Sequence, residues 1–266
     1  MDKNKNTLWT FGCSFTAEYE PIDNLHFPFE NNYDRYRKWR GGELPETWPN
    51  IIANQINYNL MNCALGGSSN YNILMQFSNV ADLIKKDDIL IFGWTKLTRF
   101  IAANLRENIF NNVLPVGANY EDLGMSQKTI DEILVNRTHN IWKHEVHSWI
   151  RIISAFCKNL GVEDYHWTSD ENVFSAEDES FFNDPKYIVV RDPGAIESTI
   201  FVDKHNMMWY LTHQDHYGGV QRGKIMDETN FEIMDGHMGE HGHKLQAKLF
   251  FNHLDYHSEI LNRKKI

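Results

Sequence analysis

The sequence is poor in cysteine, in long apolar runs and in positive charge. Its three cysteines, Cys13, Cys63 and Cys157, are too few and too scattered for a disulfide framework, so we expect reduced thiols and a cytosolic folding compartment. No apolar run approaches the ~20 residues that a membrane-spanning helix needs. Residues 1–6 lack the apolar segment and the small-residue cleavage site of a signal peptide, which favours a cytoplasmic protein.

The shortage of basic residues argues against two classes of partner. The chain has 26 lysines and arginines against 36 aspartates and glutamates, which gives a formal net charge of -10. A protein that binds nucleic acid through a broad basic face, or that docks electrostatically on an anionic membrane, carries the opposite balance. We therefore expect no nucleic-acid partner and no membrane partner.

What the chain does have is apolar and aromatic material for a large core. Hydrophobic residues make up 42% of the sequence and aromatic residues 13%, which is typical of a globular protein and not of a disordered one. The sequence shows no internal repeat and no low-complexity linker. We predict a single domain over residues 1–266, with insertions at about 18–45, 96–126 and 170–230.

Strand and helix patterns alternate along the first part of the chain. A strand-type run around Trp9 is followed by a short helix, with Thr47 as its predicted N-cap and Pro49 in its first turn. Residues 58–64 predict a second strand, 71–86 a helix and 89–94 a buried parallel strand. Such alternation is the signature of an α/β layer fold with a parallel sheet.

The pattern continues beyond a less regular region over residues 95–126. A helical pattern covers residues 127–160 in one or two pieces, and Gly161 is well placed as its C-cap. Residues 162–168 predict the next strand, and residues 239–261 predict a closing helix. Between them, three β-type runs are predicted at 187–190, 199–202 and 207–211.

The stretch from Leu8 to Thr16 combines a strand with a candidate nucleophile. The apolar run breaks at Gly12 and then presents Ser14. A buried strand delivers such a serine to the rim of a sheet, and glycine lets the backbone turn sharply. Cys13 is an alternative nucleophile, but adjacent strand residues point to opposite faces, so only one of the two can face a site. The simpler interpretation is a strand-to-loop turn with an incidental serine.

Asp235 and His237, before the closing helix, are the partners that a serine nucleophile needs. A serine hydroxyl is hardly ionised at neutral pH and must pass its proton to a base with a pKa of about 7. A carboxylate then fixes the imidazole tautomer and stabilises the imidazolium. Ser14, His237 and Asp235 are thus the candidate nucleophile, base and orienting group.

The same segment contains His241 and His243, which raises the alternative of a metal site. His237 and His241 are four residues apart and would share a helix face, with Glu240 beside them. The spacing matches no zinc signature, and the interspersed glycines disfavour a rigid helical cage. We therefore predict no metal and no other cofactor, and we expect His241 and His243 to lie on the surface or to pack the helix.

A glycine-rich turn precedes the predicted helix at 71–86. The sequence Gly66-Gly67-Ser68-Ser69-Asn70 aims backbone N–H groups at one point, as an oxyanion hole or an anion site at a helix N-terminus requires. Turns of this kind are common before helices, so the turn alone does not specify a function.

Three segments together resemble blocks I, II and V of the SGNH (GDSL-like) hydrolase superfamily. The segments are Phe11-Gly12-Cys13-Ser14-Phe15-Thr16, Asn62-Cys63-Ala64-Leu65-Gly66-Gly67-Ser68-Ser69-Asn70 and Asp235-Gly236-His237. Their order and location match that superfamily: the first strand, the second strand-to-helix turn and the start of the last helix. The Gly-Cys-Ser-Phe-Thr form of block I is similar to that of SGNH-like proteins that phages often encode.

The resemblance implies both a fold and a set of roles. The fold would be a flavodoxin-like three-layer α/β/α sandwich with a central parallel sheet and a site at its carboxyl edge, as is general for open α/β sheets. Ser14 would be the nucleophile, His237 the general base and Asp235 its orienting group. The backbone N–H groups of Ser14 and Gly67 would be oxyanion donors.

Two departures from the superfamily pattern concern the oxyanion hole and the acid. Block III usually reads Gly-x-Asn-Asp, and its Asn side chain completes the hole, whereas this chain has Gly93-Trp94-Thr95-Lys96. Either the Thr95 hydroxyl or the Asn70 side chain would have to substitute, and a lost donor typically costs about 10²–10³ in rate. The acid lies two residues before the histidine instead of three, so a backbone carbonyl is the alternative orienting group for His237.

Several interpretations of function follow. The first is a serine esterase acting on a small-molecule or glycan ester, most simply an O-acyl carbohydrate, with Trp48, Tyr71 and Trp94 as candidate substrate-binding residues because aromatic rings suit sugars. The second is a non-catalytic SGNH-like module that binds carbohydrate or serves as a virion structural protein, with a virion or homo-oligomeric partner. An acyltransferase with the same triad and a metal-dependent hydrolase are further alternatives.

Overall fold

The structure, a computed structural model, describes a central sheet and the helices that cover it. The described residues are 5–13, 16–18, 46–95, 97, 100–104, 109–114, 128, 139–168, 184, 186–187, 225–226, 232–233 and 240–264. Ser14, Asp235 and His237 lie outside these ranges, as do most of the three predicted insertions.

Eight strands and five α-helices are assigned within the described ranges. The strands are β1 (Thr7–Phe11), β2 (Asn59–Asn62), β3 (Ile89–Trp94), β4 (Phe100–Asn104), β5 (Ile109–Leu114), β6 (Glu163–Thr168), β7 (Ile225–Met226) and β8 (Glu232–Ile233). The helices are α1 (Trp48–Ile56), α2 (Asn70–Ser78), α3 (His139–Leu160), α4 (Glu240–His257) and α5 (Glu259–Arg263). Of these described helices, none is both long enough and apolar enough to cross a membrane.

A four-stranded parallel sheet in the order β2-β1-β3-β6 forms the centre of the fold. Every residue of β3 is buried, which explains why its sequence is an unbroken apolar run: in an α/β protein, helices cover both faces of a parallel sheet. The predicted flavodoxin-like α/β/α architecture with a central parallel sheet is confirmed by this topology.

Among the described helices, two pack on one face of the sheet, and two on the other together with Leu261 of α5. On one face, α2 and α3 pack over side chains such as Phe11, Phe92 and Trp94. On the other, α1 and α4 pack over Ile91 and Trp167. The strand alternation sorts the residues between the two cores, because consecutive side chains of a strand point to opposite faces.

The strand order creates a switch point at one edge of the sheet. From β1 the chain moves to β2 on one side, and it then returns to place β3 on the other side. In open α/β sheets of this order, the connections from the two central strands diverge and leave a crevice outside their carboxyl ends. Here the crevice lies at Gly12, which follows β1, and at Thr95, which follows β3.

Two buried or half-buried carboxylates organise the opposite, amino edge of the sheet. Asp88 accepts hydrogen bonds from Thr7 N (2.8 Å), Lys85 N (3.0 Å) and the indole Nε1 of Trp9 (2.9 Å). Glu163 likewise accepts from the Ser258 hydroxyl (2.5 Å) and from Ile260 N (2.9 Å), which fixes the start of α5. At this edge, acidic side chains thus accept the hydrogen bonds of several backbone and side-chain donors.

The second helix is shorter than its apolar pattern predicts. A capping box between Ser69 and Asn72 starts α2, but the helix ends at Ser78 instead of near residue 86. A 3₁₀ turn at Ala81–Leu83 follows, Ile84 is extended, and Asp88 then accepts from Lys85 N in the turn before β3. An apolar stripe shows which residues are buried, but it does not show where the helix ends.

Other boundaries agree with the prediction or add to it. Gly161 ends α3 with a positive φ of 73°, as predicted for a C-cap, and Val162 N donates to Cys157 O at 3.0 Å. The antiparallel pairs β4–β5 and β7–β8 were not predicted. Of the β-type runs predicted after residue 170, Tyr187 makes one parallel bridge to His166, whereas residues 199–202 and 207–211 lie outside the described residues.

Candidate active site

A tight turn follows the first strand at the carboxyl edge of the sheet. The carbonyl of Cys13 accepts hydrogen bonds from both Thr16 N (2.9 Å) and Ala17 N (3.0 Å), so the chain bends back as soon as β1 ends. This bend confirms the turn that was predicted at Gly12. The candidate nucleophile Ser14 belongs to the turn by sequence, although it lies outside the described residues.

Thr16 occupies a notch formed by two glycines, one after β1 and one in β3. A Cβ atom on Gly12 would lie 2.7 Å from the Cβ of Thr16. A Cβ on Gly93 would lie 2.8 Å from the Thr16 hydroxyl oxygen and 2.9 Å from the Trp167 ring. Because no larger residue fits at either position without a shift, the glycines let the turn pack directly on the ends of β1 and β3.

The side chain of Gln76 holds the turn from the α2 side. Its Oε1 accepts from Gly12 N at 2.9 Å, and its Nε2 donates to Gly12 O at 3.0 Å and to the Ser68 hydroxyl at 3.0 Å. Sequence reasoning missed this residue. The available signal was a polar side chain on the same helix face as Ile73 and Phe77, where it is buried with them.

Asn70 joins the second predicted block to the third. Its Oδ1 accepts from Thr95 N at 2.8 Å, and its Nδ2 donates to Thr95 O at 3.0 Å. Both residues are buried. The two candidate substitutes for the missing block III asparagine are therefore in direct contact, and one N–H of the Asn70 amide is already used by the Thr95 carbonyl.

The glycine-rich turn, residues 66–70, contains both Ser68, which binds Gln76, and Asn70, which binds Thr95. Gly67 has a φ of 73°, which glycine adopts at little cost. Nothing lies within 4 Å of a Cβ built on Gly67, so the turn is open on that side. Ser69 caps α2 through its side chain, which accepts from Asn72 N at 3.2 Å. The candidate oxyanion donor Gly67 thus precedes two fixed residues, Ser68, which Gln76 contacts, and Asn70, which contacts Thr95.

Two of the three predicted substrate-binding aromatic residues are buried. Trp48 is fully buried, with its ring packed edge-on against Phe250 (4.9 Å) and Trp167 (6.1 Å). Trp94 is 1% exposed and stacks beside Phe92. Neither ring has a face open to a sugar, so the prediction was wrong for these two residues, which belong to the apolar cores on either side of the sheet.

Tyr71 is the predicted aromatic residue that stays accessible. It is 48% exposed, follows Asn70 in the first turn of α2, and lies edge-on to the half-buried Trp149 of α3 at 6.3 Å. Tyr71 adjoins Asn70 in sequence and is four residues from Gly67.

A series of buried hydrogen bonds runs from Trp94 through His166 to Asp164. The indole Nε1 of Trp94 donates to Nδ1 of His166 (3.1 Å), which leaves Nε2 of His166 to donate to Asp164 Oδ2 (2.9 Å). The hydroxyl of Ser154 also donates to this carboxylate oxygen. Burial raises the pKa of the Asp164 carboxyl, but the interactions with His166 and Ser154 outweigh burial and hold the pKa below its ordinary value.

The histidine that Trp94 contacts is therefore not free to act as a base. The indole N–H is a donor only, so it occupies the one lone pair of the neutral imidazole. His166 is also completely buried. The serine, histidine and aspartate of this cluster fix the end of β3 and do not form a second nucleophilic site.

None of the three cysteines is well suited to act as a nucleophile. Cys13 is 4% exposed and Cys157 is fully buried. Burial raises the pKa of the half-buried Cys63 to about 11, so its thiol is protonated at neutral pH. A thiolate is the reactive form, which disfavours Cys63 as a nucleophile, and burial disfavours Cys13.

The structure gives His243 a packing role. This buried residue of α4 accepts, through Nδ1, a hydrogen bond of 3.3 Å from Trp48 N at the start of α1. Thr47 stands at the predicted N-cap position of α1, but its hydroxyl donates to Glu18 and makes no capping bond. Over the described ranges, no group of three or more metal-ligating side chains converges. His237 and the side chain of His241 fall outside the description.

Comparisons with known proteins give only distant structural likenesses. No protein-family model and no curated protein matches the chain. A Bacillus subtilis protein of known structure is 13% identical, with a TM-score of 0.32 over 65% of this chain and 36% of its own length. A Desulfitobacterium hafniense protein, described as lipolytic and of the G-D-S-L family, is 10% identical, with a TM-score of 0.39 over 94% of this chain and 99% of its own.

A third solved structure belongs to a carbohydrate esterase whose active site is described as having divergent catalytic and non-catalytic binding functions. It is 12% identical to this chain, with a TM-score of 0.44 over 98% of this chain and 68% of its own. Likenesses at this level decide neither the family nor the activity of this chain.

Proposed function

We propose that the chain is a serine esterase of the SGNH type. Ser14 is the nucleophile, His237 the general base and Asp235 the group that orients the base. One observation carries the proposal: the turn after β1, the Gly67 turn and the Asn70–Thr95 pair meet at the carboxyl edge of the parallel sheet. This is the edge at which open α/β sheets bind their ligands.

The proposed reaction has two steps. The Ser14 hydroxyl attacks the ester carbonyl while His237 takes its proton, and the alkoxide leaving group departs with that proton as an alcohol. A water molecule then attacks the acyl-serine ester, again with His237 as base, and releases the carboxylic acid and the free serine. The N–H groups of Ser14 and Gly67 bind the oxyanion in both steps.

The third oxyanion donor comes from Asn70 in this proposal. Its Nδ2 atom carries two N–H groups, and Thr95 O accepts one of them at 3.0 Å. The second N–H is the donor that replaces the block III asparagine. The paired contact with the Thr95 backbone supports this assignment, because it holds the amide group in one orientation before substrate arrives.

The proposed substrate is an O-acyl carbohydrate. Tyr71 supports this choice, since it is exposed, lies four residues from the proposed oxyanion donor Gly67, and has an aromatic ring that suits a pyranose ring. Trp149 lies edge-on to it, with the two ring centres 6.3 Å apart. Trp48 and Trp94 have no part in substrate binding.

Hydrolysis of a chromogenic acetate ester by the wild type and by Ser14→Ala tests the proposal. We expect the wild type to release the chromophore and Ser14→Ala to fall to the uncatalysed rate. A fluorophosphonate probe that reacts with activated serines should label the wild type and not the variant. Equal rates in the two proteins, or no labelling of the wild type, would overturn the proposal.

A non-catalytic carbohydrate-binding module is the second candidate. It is favoured by block III, where Gly93-Trp94-Thr95 offers no side-chain amide, and by the exposed Tyr71 ring. In that case acylated glycans bind with equal affinity to the wild type and to Ser14→Ala, and neither protein hydrolyses them. An acyltransferase would instead transfer the acyl group to an added alcohol faster than to water.

A further inference from the structure

Gln76 links two loops that lie far apart in sequence. One loop follows β1 and contains Gly12, and the other precedes α2 and contains Ser68. The carboxamide bonds both the N–H and the C=O of Gly12 and, with its remaining N–H, the hydroxyl of Ser68. Both Nε2 hydrogens and the carbonyl oxygen are therefore committed, and the side chain is only 7% exposed.

Further hydrogen bonds close this link into a ring. Gly12 O also accepts from Leu65 N at 3.2 Å, and the Ser68 hydroxyl donates to Leu65 O at 2.8 Å. Each of the two loops is thereby joined to the other directly and through Gln76. A change in the separation of the loops would have to break several of these bonds together.

We propose that Gln76 is the positioning residue that sets the separation of the two backbone oxyanion donors. This inference rests on the proposed function, in which those donors are the N–H groups of Ser14 and Gly67. Ser14 is two residues beyond the clamped Gly12, and Gly67 is next to the clamped Ser68. Gln76 touches neither substrate nor nucleophile in this proposal, and it acts through the loops that carry the donors.

The contact with Ser68 separates this role from a purely structural one. A side chain that only satisfied the buried peptide groups of Gly12 would need one donor and one acceptor. Gln76 donates its second N–H to Ser68 of the other loop. An oxyanion hole depends on such placement, because its donors must already point to the place where negative charge develops.

Gln76→Met provides the first test, since methionine has similar length and no hydrogen-bonding amide. Ser258→Ala is the matched control: it also removes buried hydrogen bonds, but at the amino edge of the sheet. The rate of fluorophosphonate labelling at Ser14 is measured with each variant at a temperature where all are folded by circular dichroism. We expect labelling at least about tenfold slower in Gln76→Met and within about twofold of the wild type in Ser258→Ala.

Gln76→Glu provides a second test that does not depend on how well the methionine variant folds. A glutamate keeps the acceptor for Gly12 N, but its ionised form cannot donate to Gly12 O or to Ser68. Burial raises the pKa of such a carboxyl, and the protonated form regains one donor. The labelling rate of this variant, relative to the wild type, should therefore rise as the pH falls. With the acetate ester, kcat should fall more than KM changes.

The outcomes separate the two proposals. Labelling of the wild type together with equal labelling of Gln76→Met would overturn the role of Gln76 and leave the esterase proposal standing. Slow labelling of Ser258→Ala to the same extent would also overturn it, because general destabilisation would then explain the effect. A wild type that does not label would overturn the esterase proposal and this inference with it.

Discussion

The two edges of the parallel sheet are held together by different chemistry. At the amino edge, the carboxylates of Asp88 and Glu163 accept hydrogen bonds from backbone N–H groups and from an indole. At the carboxyl edge, the carboxamides of Gln76 and Asn70 each bond both the N–H and the C=O of one residue. The comparison separates a purely structural edge from the edge at which the candidate site lies.

The difference follows from what each edge needs. A carboxylate is only an acceptor, so it suits a place where several N–H groups converge. A carboxamide both donates and accepts, and it brings no charge. In a proposed site where negative charge develops on an oxyanion, a fixed carboxylate within a few ångströms would oppose the reaction. The neutral carboxamides hold the ends of β1 and β3 without that cost, whereas the carboxylate of Glu18 bonds Asn62 at the end of β2, the outer strand.

Removal of the amino-edge carboxylate should have the largest effect on stability. Asp88→Ala leaves three donors without their acceptor, and we expect the free energy of unfolding to fall by about 3 kcal/mol. Urea unfolding measures this loss. The neighbouring Asp87→Asn should change stability by less than about 0.5 kcal/mol, since its ion pair with Arg263 is long and exposed. The comparison would be contradicted if kcat of the folded Asp88→Ala protein also fell, by a factor that corresponds to about 3 kcal/mol.

A charge placed at the carboxyl edge should act on the rate instead. In Asn70→Asp, a carboxylate faces Thr95 O and the proposed donor is lost, so we expect kcat for the acetate ester to fall about 10²-fold. Asn72→Asp is the matched control on the same helix. Its side-chain oxygen already accepts from Ser69, and an acidic residue suits the first helical turn. Equal losses in both variants would show that helix damage, and not the position of the charge, governs the rate.

Gly93→Ala tests how closely the two strand ends must approach. The new methyl group would lie 2.8 Å from the Thr16 hydroxyl and 2.9 Å from the Trp167 ring, and overpacking of this kind costs about 1–3 kcal/mol. Gly66→Ala, in the neighbouring turn, has nothing within 4 Å of the new atom and should be neutral. The melting temperatures of the two variants are compared. Equal values would show that a Cβ atom at Gly93 is tolerated as well as one at Gly66.

The smallest expected effect concerns acid. Because the pKa of Asp164 is below its ordinary value in the folded protein, its carboxylate contributes stability that is present above the ordinary pKa of about 3.9. That contribution is lost as the pH falls from there through the folded pKa. Asp164→Asn should therefore show a shallower loss of stability than the wild type in urea unfolding between pH 5 and pH 3 (values chosen to bracket about 3.9). Parallel curves would mean that the Ser154–Asp164–His166 cluster is not ionised as described.

The sheet was largely predictable because its pattern is strong and local. The apolar run of β3 and the glycine at the end of α3 each specify their element without reference to distant residues. The end of α2 was not predictable from the apolar stripe, which continues to Leu83 and Ile84 although the helix ends at Ser78. The β4–β5 hairpin was missed in a region where the sequence shows no clear periodicity.

The candidate site was predictable only in outline. The block II and block III segments do meet, as Asn70 and Thr95 show. The clamp by Gln76 depends on a contact across 64 positions, which no local pattern reveals. The prediction that Trp48 and Trp94 bind substrate failed for a related reason. Their sequence positions place them near the site but do not show which way their rings point. Exposure separates them from Tyr71.

The coverage of the thiols also makes the protein convenient for labelling. Cys13 and Cys157 are shielded by the fold, and Cys63 is protonated at neutral pH. Maleimide reagents at about pH 7 should therefore react with the native thiols much more slowly than with an exposed cysteine, because the Cys63 pKa of about 11 leaves very little thiolate. A single cysteine introduced at Leu65, which is 55% exposed and lies two residues before Gly67, would then carry a fluorophore or spin label while the Tyr71 ring stays in place. Glycan binding beside the Gly67 turn could be followed directly by its signal, with no need to delete a native cysteine from the core.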